Sequence, residues 1–587
     1  MPDALARQRN PGLAPLPQDP LEVDIVIIGS GAAGLMAALT AAESGARALV
    51  MEASSLIGGT TAFSGGLLWV PYNKVAAAHG FSDSRAVAER YVARCLGQRA
   101  QDPRWRVFFD HINGVIEFLE QRARIRFMLT RYPDSFSEWD DGRDCRHINI
   151  APFNIRSLGS WRARIRKPPG ELTLLTIPDI EASTEPMSVF TRMALARLAL
   201  IAAKRTVTGE VTMGYALVAA MLRACLQRRV DVRLNTRVVR LVEEDHRIIG
   251  VIAETANGER RVLARQGVVL ACGGFDWNEE LKSKYLPGAL DATQTPPVNN
   301  GDNLHLVRPV NALLGSTDEA WYLPGYINPE AVPYEGRLLG TSIIADRMLP
   351  HTLWVNRFGR RFVNEGAQNA ANSFYLRDPA TGELPNLPCF SVFDCQYRRK
   401  YPVLMFTSPD HPDPPWLEKS DTLEGLAERL GIDGGGLRSA VYRFNQYARR
   451  GEDPDFHRGE GGFERYFGDP SAPQRNLGTI EEPPFYAFRV HQSSVGTKGG
   501  AMSNCHGQIL RESGEPIAGL YGAGNAAAAF NGPLTVAAGC TIPPALTMAY
   551  VAVLHAVGTG SAAGPSSSSQ RRGESILAAD GVGRSCP

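Results

Sequence analysis

An apolar β-branched run at residues 24–28, three glycines spaced Gly29-x-Gly31-x-x-Gly34, and a carboxylate, Glu52, closing a second apolar run predict an α/β fold built on a parallel, Rossmann-type sheet. The glycine turn follows the first run directly and passes into helical spacing that ends near Ser44 and Gly45. Residues 47–51 form the second buried strand, so strand, turn, helix and strand make a βαβ unit, which requires parallel strands. Each glycine has its own task. Gly29 permits the tight turn, Gly31 lets the backbone approach a pyrophosphate, and Gly34 allows helix to pack closely on strand. The helix that starts near Ala32 presents unpaired N–H groups and the positive end of its dipole to phosphates. The Glu52 carboxylate accepts hydrogen bonds from both ribose hydroxyls, and its charge disfavours a 2′-phosphate.

The chain of 587 residues exceeds one ordinary core, so a dinucleotide domain carrying an inserted second domain is expected. With 44% hydrophobic and 21% charged residues the composition is that of a globular enzyme. Lys and Arg number 62 against 61 Asp and Glu, which leaves no field to recruit nucleic acid. The nine cysteines are scattered without paired ligand spacing, so no metal site is expected, and a reducing, cytoplasmic setting is. The first 22 residues carry no apolar stretch fit for a signal peptide, and no apolar run reaches the roughly 18 residues that suggest a transmembrane helix.

Residues 1–22, rich in Pro and polar groups, and 557–587, rich in Gly, Ser and Ala, are expected to be disordered tails. Helical spacing covers about 84–125 and 186–229, and strands are expected at 230–234, 237–242, 248–253, 262–263 and 268–271. Residues 319–485 are denser in Pro, Asn and aromatic groups and lack the dinucleotide signature. They are assigned to an inserted α+β catalytic domain, with 23–318 and 486–556 forming the dinucleotide domain. The stretch 187–205 mixes apolar and basic residues, and reads as an amphipathic helix touching a membrane or a lipophilic ligand path, or as a packed helix with solvated arginines; the packed reading accounts for it better.

NAD and FAD share the glycine fingerprint, and the residues after Glu52 distinguish them. Gly58-Gly59-Thr60-Thr61 begins six residues on, where a small-residue loop runs back along an extended dinucleotide toward an isoalloxazine ring, and Ser64-Gly65-Gly66 extends it. That continuation favours FAD. The stretch GGTTAFSGGLLWVPYN at 58–73 resembles the flavin-proximal segment of the 3-ketosteroid dehydrogenases. VVLACGGF at 268–275, FGRRFVNE at 358–365, GTKGG at 496–500 and GLYGAGNAAAA at 519–529 follow in that family's order, so the resemblance spans roughly 23–556. Several blocks are shared with the wider superfamily of fumarate reductase and succinate dehydrogenase flavoproteins.

The resemblance implies an FAD domain with an inserted catalytic domain. It carries cofactor contacts onto Gly29, Gly31, Ala32, Gly34 and Glu52, then onto Gly59, Thr60, Thr61, Ser64 and Gly66. Further contacts fall on Val238, Gly273, Asp302, Gly524 and Asn525. Thr541 and Ile542 precede Pro543 and Pro544, which are preorganised for the first turn of a helix whose positive end points at the flavin.

The family's catalytic tyrosines are absent. Thr535 stands at the position in the last block, Asn369 at the one after FVNE, and Ser135, followed by Phe136, in RYPDSF. Threonine and asparagine supply no ionisable base. Gly539 survives, and its N–H suits a ketone oxygen. Candidates for the base are Tyr375, Tyr322, Tyr326, His351 and His491. The arginine and histidines that clamp a dicarboxylate in fumarate reductases are missing too, whereas Leu534, Val536, Ala537, Trp321 and Trp354 suit an apolar pocket. Cys540 reads as a packing residue.

The function expected is FAD-dependent dehydrogenation of a bulky apolar cyclic ketone, 3-ketosteroids leading, with a hydride passing to flavin N5. The partners implied are a small hydrophobic substrate and an electron acceptor that the sequence does not identify. Two alternatives are a redox enzyme for another hydrophobic alcohol or enone, and a non-catalytic flavin-binding paralogue, the latter motivated by loss of the tyrosines.

Overall fold

The structure, a computed structural model, describes residues 20–170, 172–184, 191–404 and 407–561, so most of the two expected tails lies outside the described residues. The expected βαβ unit is present: β1 (Leu21–Ile28), α1 (Ala32–Glu43) and β2 (Ala48–Met51), with β1 and β2 parallel from Ile25↔Ala48 to Ile28↔Met51. Helix α1 is buried along nearly its whole length because it is built of Ala, Leu, Met and Gly. A Cβ on Gly34 would stand 2.0 Å from the Gly29 carbonyl oxygen, so only glycine lets this helix sit so close to the turn.

Downstream lie the short helix α2 (Ile177–Glu181), α3 (Arg192–Thr208) and α4 (Met213–Gln227), followed by β3 (Asp231–Arg233), β4 (Arg237–Glu244), β5 (Arg247–Thr255) and β6 (Gly258–Leu270). Sequence reading separates 262–263 from 268–271, but the chain stays extended between them. Strand β6 runs beside β1 throughout, and the slip in register between Val23 and Ile25 absorbs the mismatch. Strand β4 pairs only with β5 at the margin of the sheet, which leaves Val238 free to face the cavity described below.

A second, mainly antiparallel sheet contains β7 (Ala320–Ile327), β8 (Cys389–Asp394) and β9 (Phe485–Thr497), in the order 340–342, β7, β9, β8, 352–355. The chain then returns to the first sheet through β10 (Pro516–Gly522), parallel to β6, and ends in α5 (Ile542–Ser561) packed on α1. A three-stranded antiparallel sheet, 67–69 with 147–150 and 127–130, stands beside the loop that precedes α5.

One expectation is corrected. Residues 187–190 of the expected helix lie outside the described residues, and from Arg192 on α3 packs on one side alone: it buries Ala194, Leu198 and Arg205, while Met193, Leu195, Leu200 and Val207 face outward. Its periodicity is satisfied by too few neighbours to cover both apolar sides. No helix among the described residues is long and apolar enough to cross a membrane.

Candidate functional site

A cavity of about 770 Å³ lies where the two large sheets meet the loop before α5. Every expected cofactor contact lines it except Gly34 and Gly66. Those two act behind the wall, since a Cβ on Gly66 would meet the Met213 backbone at 2.5 Å, as Gly34 meets Gly29.

The walls fall into two groups. In the first, Gly29 holds φ +102° and its missing Cβ leaves room for the Ala271 carbonyl, which a side chain would approach to 2.4 Å. Helix α1 has no side-chain cap from its N-cap residue Gly31, and the Ala32 N–H is met by the Thr61 hydroxyl at 3.0 Å. The first turn is therefore open to an anion. Glu52 accepts from the Ser30 N–H (3.1 Å), the Ser30 hydroxyl (2.6 Å) and the Ser54 N–H (2.9 Å). Burial raises its pKa against those bonds and the charge of Arg166. A carboxylate has about four lone-pair sites, so acceptor capacity remains for ribose hydroxyls. Asp302 is ion-paired with Arg237, and Asn299 donates to the Thr60 hydroxyl at 2.9 Å. Thr541 and Ile542 bring the start of α5 to the same cavity, while the Trp321 indole donates to Asn525 Oδ1 at 3.2 Å. Glycines where backbone must approach, an open helix start and a buried acceptor at the ribose position together fit an adenine dinucleotide.

Comparison with known proteins agrees with that geometry. Residues 24–542 match the FAD binding domain family. The 3-oxosteroid 1-dehydrogenase of Mycobacterium tuberculosis is 34% identical over 562 residues, covering 91% of this chain and 98% of that protein. This chain belongs to the 3-ketosteroid dehydrogenase family of FAD-binding flavoproteins. The 4-oxocyclohexanecarboxylate 2-dehydrogenase of Sinomonas cyclohexanicum is also 34% identical, over 542 residues, 90% of this chain and 92% of that one. Among solved structures, the 3-ketosteroid delta1-dehydrogenase of Sterolibacterium denitrificans in complex with 1,4-androstadiene-3,17-dione superposes with a TM-score of 0.84 at 28% identity, over 92% of this chain and all of that one. The flavoprotein is thus an FAD-dependent dehydrogenase by family, and FAD is its cofactor.

The second group of walls is where the flavoprotein departs from sequence expectation. Leu67, Ile177, Ile180, Phe463 and Phe467 make an apolar chamber, into which come Tyr132, Arg347, Gln368, Thr535 and Gly539. Gly539 holds φ +72°, and a Cβ there would stand 2.6 Å from the Leu67 carbonyl oxygen, so the position requires glycine. Its carbonyl accepts the Trp69 N–H at 3.0 Å.

Ser135, Asn369 and Tyr375 do not line the cavity. The Tyr375 hydroxyl donates to the Ala289 carbonyl at 2.9 Å, and burial drives its pKa far up. Asn369 and Ser135 instead grip the backbone of Thr535 from behind. Of the other candidate bases only Tyr322 reaches the cavity; His351 is bonded to the Thr479 carbonyl at 2.7 Å, and His491 lies 3.8 Å from Asp291. Trp321 and Ala537 line the cavity as expected for an apolar pocket, but Val536 and Trp354 lie in hydrophobic cores.

Tyr132 and Arg347 escaped the sequence reading. Tyr132 follows the strand 127–130 and stacks among His147, Phe463, Tyr466 and Phe467 with ring centroids 5.4 to 6.1 Å apart. Burial holds its phenol above the ordinary range, and the Arg347 cation opposes that rise. Arg347 is buried and donates to the carbonyls of Ile343 (3.1 Å), Glu365 and Ala367 (2.6 Å), with burial lowering its pKa to about 10. The signal for Tyr132 was its place in RYPDSF, three residues before Ser135. No local pattern marks Arg347.

Proposed function

We propose that this flavoprotein dehydrogenates an alicyclic ketone, removing hydrogen from two adjacent ring carbons. The single observation that carries the reading is the apolar chamber holding Tyr132 and Gly539 in the same cavity as the FAD contacts. When bound, FAD supplies the hydride acceptor, N5. In this reading the Gly539 N–H donates to the ketone oxygen and so acidifies the neighbouring C–H. Tyr132, ionised beforehand to the phenolate that the Arg347 charge favours, takes the proton that leaves that carbon and becomes the neutral phenol. Thr535 shapes the chamber beside them.

The names of the relatives bound the substrate class: one acts on a 3-oxosteroid and another on a 4-oxocyclohexanecarboxylate, and a six-membered ring ketone is common to both. Trp321, Ala537, Phe463 and Phe467 favour the apolar end of that range, with steroids in first place. We further infer a cytoplasmic setting, which free thiols at seven of the eight described cysteines support, against a disulfide at Cys505. The test is anaerobic mixing of the FAD-loaded protein with a 3-oxosteroid, with 4-oxocyclohexanecarboxylate and with a saturated alcohol. Bleaching of flavin absorbance by one of the ketones, with an unsaturated ketone as product, supports the reading. A flavin that stays oxidised with all three would leave a non-catalytic flavin carrier, which engagement of all three former tyrosine positions in backbone support or wall already motivates.

A further inference from the structure

The GTKGG segment carries a charge that neither the cofactor contacts nor the apolar chamber uses. Lys498, its third residue, follows β9 directly and is fully buried. Its Nζ donates to the Gly532 carbonyl at 2.6 Å and stands 4.4 Å from the centre of the Trp321 ring. Among the described residues it forms no ion pair. A buried ammonium without a carboxylate beside it is costly, and that cost points to a use for the charge.

Lys498 stands behind the wall at one end of the cavity. Trp321, whose ring it faces, lines the cavity and donates to Asn525 Oδ1 at 3.2 Å. Cys540 lines the same wall and leads into Thr541 and Ile542, where α5 begins with its positive end toward the cavity. Burial pushes the Cys540 thiol up, and the Lys498 charge is among the groups that oppose it.

The groups around Lys498 leave a cation there. Glu319 lends its carbonyl to the Lys498 N–H at 3.0 Å, and its carboxylate, with Asp318 acting on it, lies 3.7 Å from Arg99. Arg104, bonded to the Ala528 carbonyl on the loop that Lys498 also grips, is paired with Asp102. Burial lowers the Lys498 pKa to about 8, against the charges of Glu319 and Cys540, so the ammonium is charged at neutral pH.

We propose that Lys498 is a positioning residue for charge, a cation that raises the electron affinity of the bound flavin. A hydride brings two electrons and one proton to N5, and the added negative charge settles at N1 and the C2 carbonyl of the ring. Lys498 keeps its own proton and attracts that charge from behind Trp321 and Cys540. The proposal rests on the flavin ring lying at the α5 end of the cavity, and not on which ketone is oxidised.

The test uses sulfite, whose sulfur lone pair bonds to flavin N5 and drives the same charge onto N1 with no substrate present. Bleaching of the FAD-loaded chain by sulfite is titrated for wild type, for Lys498→Met, a neutral side chain of similar reach, and for Lys498→Arg, which stays charged. At neutral pH the methionine variant is expected to bind sulfite roughly tenfold or more weakly, and the arginine variant within about threefold of wild type. As pH rises past about 8, wild type is expected to lose its advantage over the methionine variant and to fall behind the arginine variant, because only the lysine gives up its proton. Either variant tests the proposal by itself where the other fails to hold FAD. Equal sulfite constants for wild type and Lys498→Met overturn the proposal. So do ratios that hold steady through that pH, because packing rather than charge then accounts for the difference. A flavin that responds to sulfite as expected, yet is bleached by no ketone, would sink the substrate reading alone.

Discussion

Asn369 holds Thr535 by both ends of its amide: its Oδ1 accepts the Thr535 N–H at 2.8 Å, and its Nδ2 donates to the Thr535 carbonyl at 3.1 Å. The Ser135 hydroxyl donates to the same carbonyl at 3.1 Å, and the Tyr91 hydroxyl donates to the next carbonyl, Val536, at 2.6 Å. The three positions at which the resemblance places tyrosines thus meet at one loop, where Asn369 and Ser135 hold the backbone of Thr535. Asn369→Ala removes two bonds to a partly buried peptide, at about 1–3 kcal/mol. The expected outcome is a turnover reduced roughly tenfold or more with FAD retention unchanged. Equal loss of flavin and turnover would show that Asn369 supports the fold rather than the chamber.

Tyr132→Phe tests the proton-handling role directly. The ring's packing among Phe463, Tyr466 and Phe467 survives, and only the hydroxyl is lost. Flavin reduction by an active ketone is expected to slow by roughly 10²–10⁴-fold, with FAD still bound. Because burial holds the phenol up, the wild-type rate is expected to climb with pH on the alkaline side, and the variant is expected to lose that climb. A variant that reduces its flavin at the wild-type rate removes Tyr132 from the mechanism.

The βαβ unit and the cavity wall it makes were legible because their signals are local. Gly29, Gly31, Gly34 and Glu52 lie within one βαβ unit, and each has a steric or charge reason that needs no tertiary information. The catalytic half was not. Ser135, Asn369 and Thr535 come from three distant segments, and no periodicity announces that they share a peptide group. Tyr132 was in view, but a lone tyrosine has an ordinary core reading until Arg347 is seen nearby. Helix α3 shows the same limit from outside: apolar spacing predicts the helix, and only the packed structure says that its second apolar side has no neighbour.

Glu52→Ala tests the cofactor half. In the proposed reading the carboxylate accepts from the ribose hydroxyls, and Ser30 and Ser54 hold it in place. Removing two charged hydrogen bonds worth about 1.5–3 kcal/mol each is expected to weaken FAD binding by roughly a hundredfold or more. Titration of the apoprotein with FAD, read by quenching of flavin fluorescence, gives the number. An unchanged affinity would place the ribose elsewhere.

His147 predicts how the site fails in acid. Its Nε2 lies 2.9 Å from the Ala538 carbonyl, beside Gly539, so the neutral ring donates there and steadies the loop. Burial lowers its pKa from 6.5 to about 4, against its bond to the Ala538 carbonyl. Between those values the unfolded chain binds the proton and the folded one does not, so the contribution to stability is complete above pH 6.5 and drains away as pH falls toward 4. The full span corresponds to about 3 kcal/mol. His147→Gln keeps a donor for Ala538 without a titrating ring. Glu464, raised to about 7, and Asp134 and Asp346, raised to about 6, titrate in the same window with the opposite sign, but equally in both proteins. The difference in unfolding free energy between wild type and His147→Gln is therefore expected to shift in favour of the variant by up to that amount from pH 7 to pH 4. Parallel pH curves for the two proteins would mean that His147 is not buried neutral beside the loop.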